Sequence, residues 1–126
     1  MTMNPEIKKA WVEKLRDPNI KQTKGVLHSV RGGQEEFCCL GVLCTLAAEA
    51  GVVEAKRQEA GILVRYGPPG GVFGYEDNVL PDVVSRWAGL DGHQSPTLPV
   101  SGHALAVMND RGIRFSVIAD LIEREF

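Results

Sequence analysis

The amino-acid sequence predicts an α+β fold, with two short antiparallel hairpins packed with four or five helices around a buried central helix. Three observations carry this expectation. Residues 38–50 form an apolar run in which only Thr45 and Glu49 are strongly polar. Two strand-like stretches are reversed by the glycine-rich turns Arg31-Gly32-Gly33 and Gly67-Pro68-Pro69-Gly70-Gly71. Further segments repeat apolar residues at helical spacing. A chain of 126 residues has the length of one domain, and such a domain buries about two thirds of the surface that its unfolded chain exposes. We expect a single domain over residues 1–126.

Asn4-Pro5-Glu6 opens the first helix. Asn caps it, Pro at the first helical position has no amide to leave unpaired, and the acid faces the positive end of the helix dipole. Ile7, Trp11 and Leu15 share a face with Ala10, while Lys8, Lys9 and Lys14 stay in water. Asp17-Pro18-Asn19 ends the helix, because the residue before proline is pushed out of helical geometry. Residues 21–25 read as a loop into a strand over 26–30, and Arg31-Gly32-Gly33 turns that strand into residues 34–37 as the first hairpin. The central helix follows over 38–50 and stops at Gly51. Gly41 within it costs about 1 kcal/mol relative to alanine, so another backbone is expected to pass close by.

Residues 52–60 are polar and receive no assignment. Residues 62–66 and 72–75, joined by the Gly-Pro-Pro-Gly-Gly loop, predict the second hairpin. That loop is no phosphate loop, since it lacks the following Gly-Lys-Ser/Thr and leads into a strand. Residues 80–90 predict a short helix with Pro81 in its first turn, Gly89 at its stop, and Val83, Val84 and Trp87 on one face. Residues 91–99 form a loop of the kind that moves or covers a site. Ser101 is expected to cap a helix through Met108, Asn109-Asp110-Arg111-Gly112 to turn, and Ser116 to cap a last helix whose Ile118, Leu121 and Ile122 face inward.

Composition excludes several functions. No apolar run approaches the ~20 residues of a membrane helix, and the N-terminus lacks the apolar core and cleavage site of a secretory signal. A cytoplasmic setting is expected. The formal charge of −2 and pI near 5.9 speak against wholesale binding of nucleic acid. The charge is uneven, with seven Lys or Arg against three acids in residues 1–31. His28, His93 and His103 are scattered and no Cys-x-x-Cys occurs, so neither a metal site nor a cofactor is implied.

The run Glu-Glu-Phe-Cys-Cys-Leu-Gly-Val-Leu-Cys, residues 35–44, raises a question of chemistry. A thiolate at a helix start can be stabilised by the helix dipole and so become a nucleophile. Cys39-Leu40-Gly41-Val42-Leu43 with Ala50-Gly51-Val52 resembles the nucleophile helix of the NlpC/P60-type, papain-like cysteine hydrolases. That resemblance implies Cys39 as nucleophile, His103 as its base and Asn109 or Asp110 as the orienting third member. The chain departs from the pattern at Leu40, where the family has a small polar residue, and at Glu35 and Glu36, whose charge would raise a thiol pKa. It departs again at His103, which opens a predicted helix where that family has a strand. The alternative is small thiols packed in a core.

A second resemblance spans nearly the whole chain. Trp11-Val12-x-x-Leu15, Phe37-Cys38-Cys39-Leu40-Gly41-Val42-Leu43-Cys44, Leu80-Pro81 through Trp87-Ala88-Gly89-Leu90, Met108-Asn109-Asp110 and Phe115-x-x-Ile118-Ala119-Asp120-Leu121-Ile122-Glu123 together resemble a family of small uncharacterised proteins of bacteriophages and their bacterial hosts. It implies a phage context, in which accessory proteins counter host defence by sequestering a nucleotide signal or by binding a host protein. A nucleotide-type ligand demands cations for phosphate, an aromatic for the base and fixed polar groups for ribose or base edges. The candidates are Arg65 and Tyr66 on opposite faces of one strand, Tyr75 on its partner, and Asn109, Asp110 and Arg111 in one turn. For Asn109-Asp110 the alternative is an Asx-type turn. Trp11 and Trp87 are expected in the core. A host-protein inhibitor would use the basic N-terminal helix, and a small binder enclosing ligand between subunits would form a homo-oligomer.

Overall fold

In the computed structural model, which describes residues 3–58 and 62–126, the Asn4 side chain accepts from the amides of Glu6 and Ile7 at 3.0 and 3.2 Å and starts α1 (Pro5–Leu15). Trp11, Val12 and Leu15 are buried from this helix, and the Trp11 indole donates to the Cys39 carbonyl at 2.9 Å. Residues 21–25, expected as a loop, instead supply β1 (Lys21–Gln22), which pairs parallel with β3 (Gln34–Phe37). β2 (His28–Arg31) pairs antiparallel with β3 about Gly32 and Gly33, both at positive φ, as the first hairpin. The sheet order is β1-β3-β2. A two-residue parallel strand has no sequence period to announce it; its partner is set by tertiary contacts.

α2 (Cys39–Glu49) is the buried centre, packed by α1, α3, α4 and β3. Gly41 explains itself. A Cβ there would run into the Leu27 carbonyl, with its carbon only 2.6 Å away, so the β2 approach and the helix can touch only through a glycine. The helix ends at Ala50, with Gly51 in the left-handed region at φ 77°.

The second hairpin differs from expectation. β5 (Val64–Gly67) pairs antiparallel with β4 (Glu54–Arg57), a strand inside the stretch that the sequence leaves unassigned. Residues 59 and 60 of that stretch lie outside the described residues. Residues 72–75 form no strand, and beyond the Gly-Pro-Pro-Gly-Gly loop the chain returns to β5 only in the single bridge of Tyr66 with Glu76. Pro68 and Pro69 have no amide to donate to a ladder, which stops strand pairing at that point. The two sheets meet where Ser29 bridges Leu63 and the Val30 amide donates to the Ile62 carbonyl at 2.7 Å.

α3 (Asp82–Ala88) buries Val84, Ser85 and Ala88, with Trp87 half-buried. Val83 is 40% exposed, because adjacent helical residues point about 100° apart and only one of the two valines can face the core. Residues 91–99 are anchored, with Pro96 and Leu98 buried and the Gln94 carbonyl accepting from the Leu80 amide. α4 (Leu105–Asp110) starts at Ala104 rather than Ser101. Gly102 at φ 78° and the Thr97–Ala104 bridge keep the preceding segment out of a helix, and the Ser101 amide donates to Glu125. Asn109 and Asp110 close α4 instead of forming a turn, which falls at Arg111-Gly112. α5 (Phe115–Glu125) starts at Arg114 rather than Ser116. Its cap comes from Gln22 on β1, whose Oε1 accepts from the Phe115 amide at 3.2 Å. The described residues contain no helix long and apolar enough to cross a membrane.

Gly41→Ala is expected to lose about 3 kcal/mol or fail to fold, because backbone must move to admit the methyl. Gly51→Ala, in open space at φ 77°, should lose only the left-handed penalty of about 1 kcal/mol. Urea denaturation of both variants checks this, and equal losses would contradict the close approach at Leu27.

Candidate functional site

The three cysteines are free and buried. Cys38 is the N-cap of α2, its Sγ accepting from the Gly41 amide at 3.3 Å. Burial pushes its thiol up to about 11, and pushes Cys39 and Cys44 well above the usual thiol range. The Cys39 thiol donates to the Leu105 carbonyl at 3.6 Å, while His103 is exposed, and no hydrogen bond joins the two. A nucleophile needs a lowered pKa and access to substrate; the Cys39 thiol is buried and pushed up.

Asn109 is fully buried on α4 and joins three elements. Its Oδ1 accepts from the Cys39 amide at 3.1 Å and the Gln22 side chain at 2.9 Å, and its Nδ2 donates to the Thr23 carbonyl at 2.7 Å. Asp110 accepts from the Gly25 amide at 2.9 Å. The pair is thus no isolated turn; the Asn109 carboxamide is spent on the first turn of α2, on Gln22 of β1 and on Thr23, while Asp110 is exposed. Arg111 lies apart, in an apolar groove of about 280 Å³ lined by Val107, Met108, Ile113, Val117 and Leu121, where His103 also sits.

Tyr66 points inward from β5. It is buried, with its hydroxyl 2.7 Å from His28 Nδ1, while His28 Nε2 lies 3.0 Å from Glu35 Oε1. A carboxylate only accepts, so the proton sits on Nε2, and Nδ1 accepts from the tyrosine hydroxyl. The imidazole also stacks on Phe37, centroids 4.2 Å apart. Burial pulls the His28 pKa down against the opposing pull of Glu35, and pushes Tyr66 up.

Arg65, next in sequence, faces water, and in the β4–β5 register it stands directly opposite Lys56. Together with Arg57, Gln58, Val72 and Tyr75 the two cations line a groove of about 180 Å³. Arg65 Nε lies 3.8 Å from Asp77, and with the Gln58 amide turned to present its oxygen it donates to Gln58 at 2.9 Å. Lys56 Nζ donates to the Gly71 carbonyl at 2.8 Å and lies 4.7 Å from the centroid of the Tyr75 ring. The Tyr75 hydroxyl bonds Pro68 and Glu54, and Glu54 is held below the usual carboxylate range by the Gly70 amide first and then by Tyr75.

Of the residues that the sequence singled out, the structure therefore brings Arg65 and Tyr75 together, sets Tyr66 beneath them in the core, and places Asn109, Asp110 and Arg111 elsewhere. Lys56, Arg57 and Gln58 were missed. Glu54-Ala55-Lys56-Arg57 has no β-branched or aromatic residue to signal a strand, and without that strand Lys56 cannot be set opposite Arg65. A more enclosed cavity of about 250 Å³ lies between Met3, Leu90, Pro96 and Phe126, but its lining offers Asp91 and His93 and no Lys or Arg. Three of the basic side chains on and just after α1 turn to their own chain, Lys8 to the Phe126 main-chain oxygen, Lys14 to Glu49, and Arg16 to Asp120 and Glu123, while Lys9 is exposed. Among the described residues no cluster of three or more His, Cys, Asp or Glu could hold a metal ion.

A family model described as a domain of unknown function, DUF8296, matches residues 3–126. No curated protein and no solved structure matches the chain.

The His28 network makes stability depend on pH. With its folded pKa below the ordinary 6.5, His28 contributes stability that is fully present above pH 6.5 and is lost as the pH falls through the lowered value. Protonation also puts a second proton between Nδ1 and the Tyr66 hydroxyl. The urea midpoint is expected to fall from pH 7.5 to pH 5, and His28→Gln to flatten that slope. Glu54 and Glu125 lose their contributions only below pH 4.5 and leave this window clear. An unchanged slope in the variant would contradict the assignment.

Proposed function

We propose that this chain, which belongs to the DUF8296 family, acts by binding, and that its β4–β5 groove takes the phosphate of a nucleotide-type small molecule. The observation that carries the reading is Lys56 directly opposite Arg65. Like charges facing each other across an antiparallel pair repel. An anion between them replaces that repulsion with charge-assisted hydrogen bonds. Arg57 adds a third cation to the same groove, and Gln58 a polar edge.

Asp77 and Gln58 steady the Arg65 guanidinium, which reduces the ordering cost of binding. The burial of all three thiols favours a binding role over cysteine-based hydrolysis. The phage context implied by the sequence resemblance gives such binding a purpose: an accessory protein that holds a nucleotide signal removes it from the host's defence without having to change it.

Calorimetric titration with ADP tests the reading. Binding is expected at low ionic strength and should weaken as salt screens the groove. Arg65→Ala should weaken it by about tenfold or more, the loss of a hydrogen bond to a charged group. Arg111→Ala, in its separate groove, should leave it unchanged. Affinity indifferent to both salt and Arg65→Ala would overturn the proposal.

A further inference from the structure

We infer that Phe73 is the stacking platform for the ligand's base, so that the groove prefers phosphates carrying an aromatic base over anions in general; this rests on the phosphate-binding reading above. Stacking requires an aromatic ring open to solvent. Neither tyrosine offers one. Tyr66 is buried with its hydroxyl committed to His28. The Tyr75 ring is taken up by its neighbours: a Cβ on Gly67 would lie 2.6 Å from its Cγ, so the ring packs against that glycine, and Lys56 Nζ is 4.7 Å from its centroid.

Among the described residues Phe73 is the one aromatic that is largely exposed, at 87%, and it directly follows Val72, which lines the groove. The turn that leads to it is tied down. The Gly71 amide and the Tyr75 hydroxyl both donate to the Pro68 carbonyl, at 2.9 and 2.7 Å. The Gly70 amide donates to Glu54 at 3.0 Å, and Lys56 donates to the Gly71 carbonyl at 2.8 Å. Gly70 and Gly74, both at positive φ, bracket the segment. A loop free to collapse would fold its phenyl ring onto apolar surface; this one is tied to β4 by Lys56, a cation of the same groove. The tie joins the turn two residues before Phe73 to the strand that carries Lys56 and Arg57.

Calorimetry with AMP and ribose 5-phosphate separates the two contributions, because the probes share a phosphate and differ by the base. The wild-type chain is expected to bind AMP about tenfold more tightly, the effect of one stacked base. Phe73→Ala should abolish that preference and leave ribose 5-phosphate unaffected, while Phe73→Trp should preserve it. The side chain is exposed, so neither change threatens the fold. A preference that survives Phe73→Ala, or equal binding of both probes by the wild type, overturns the inference and leaves the phosphate site standing. If neither probe binds the wild type, the inference and the phosphate reading fall together.

Discussion

A helix that is apolar on nearly every side has to leave water, and the amides of its first turn then need acceptors that water no longer supplies. For α2 these acceptors are the Asn109 carboxamide, which takes the Cys39 amide, and the Cys38 sulfur, which takes that of Gly41. The rest of the architecture follows from this constraint. Asn109 must arrive fully buried on α4, and its remaining bonds fasten Gln22 and Thr23 beside β1. Gln22 in turn caps α5 through Phe115. One carboxamide thereby couples the central helix, the small sheet and the two C-terminal helices. Removal of a buried hydrogen-bonding group of this kind leaves several partners unsatisfied at once.

The same constraint accounts for the cysteines. At the start of α2 the Cys39 thiol meets the Leu105 carbonyl and the Cys38 sulfur meets the Gly41 amide, and a weak sulfur donor or acceptor is sufficient there. Burial then pushes the thiols up, away from nucleophilic chemistry. Away from that helix, β4 and β5 form a two-stranded ribbon joined to the first sheet at Ser29–Leu63. Residues on that ribbon can face water without leaving polar groups unpaired in the core, which is why a repelling pair such as Lys56 and Arg65 can stand there.

Much of the fold was legible. The Asn4 cap, the Gly32-Gly33 turn, the apolar run ending at Gly51 and the demand at Gly41 for a close backbone each express a local rule, and the structure obeys them. What escaped is nonlocal. Gln22 replaces Ser116 as the cap of α5 from 93 residues away, and β1 exists only because β3 lies beside it. Glu54-Ala55-Lys56-Arg57 becomes a strand through its pairing with β5 rather than by propensity. The candidate site suffered most from this. Arg65 and Tyr75 were visible as residue types, but whether Tyr66 faced ligand or core depended on His28, and the cation opposite Arg65 depended on a strand that the sequence did not announce.

The conspicuous cysteine run serves the core, and on our proposal ligand meets the β4–β5 ribbon. Amide chemical-shift mapping during titration with AMP addresses both halves in one experiment. On this proposal, shifts are expected at Lys56, Arg57, Arg65 and residues 72–75, with Cys38, Cys39, His103 and Asn109 unmoved. Shifts centred on the first turn of α2 and on His103, with the ribbon silent, would contradict it.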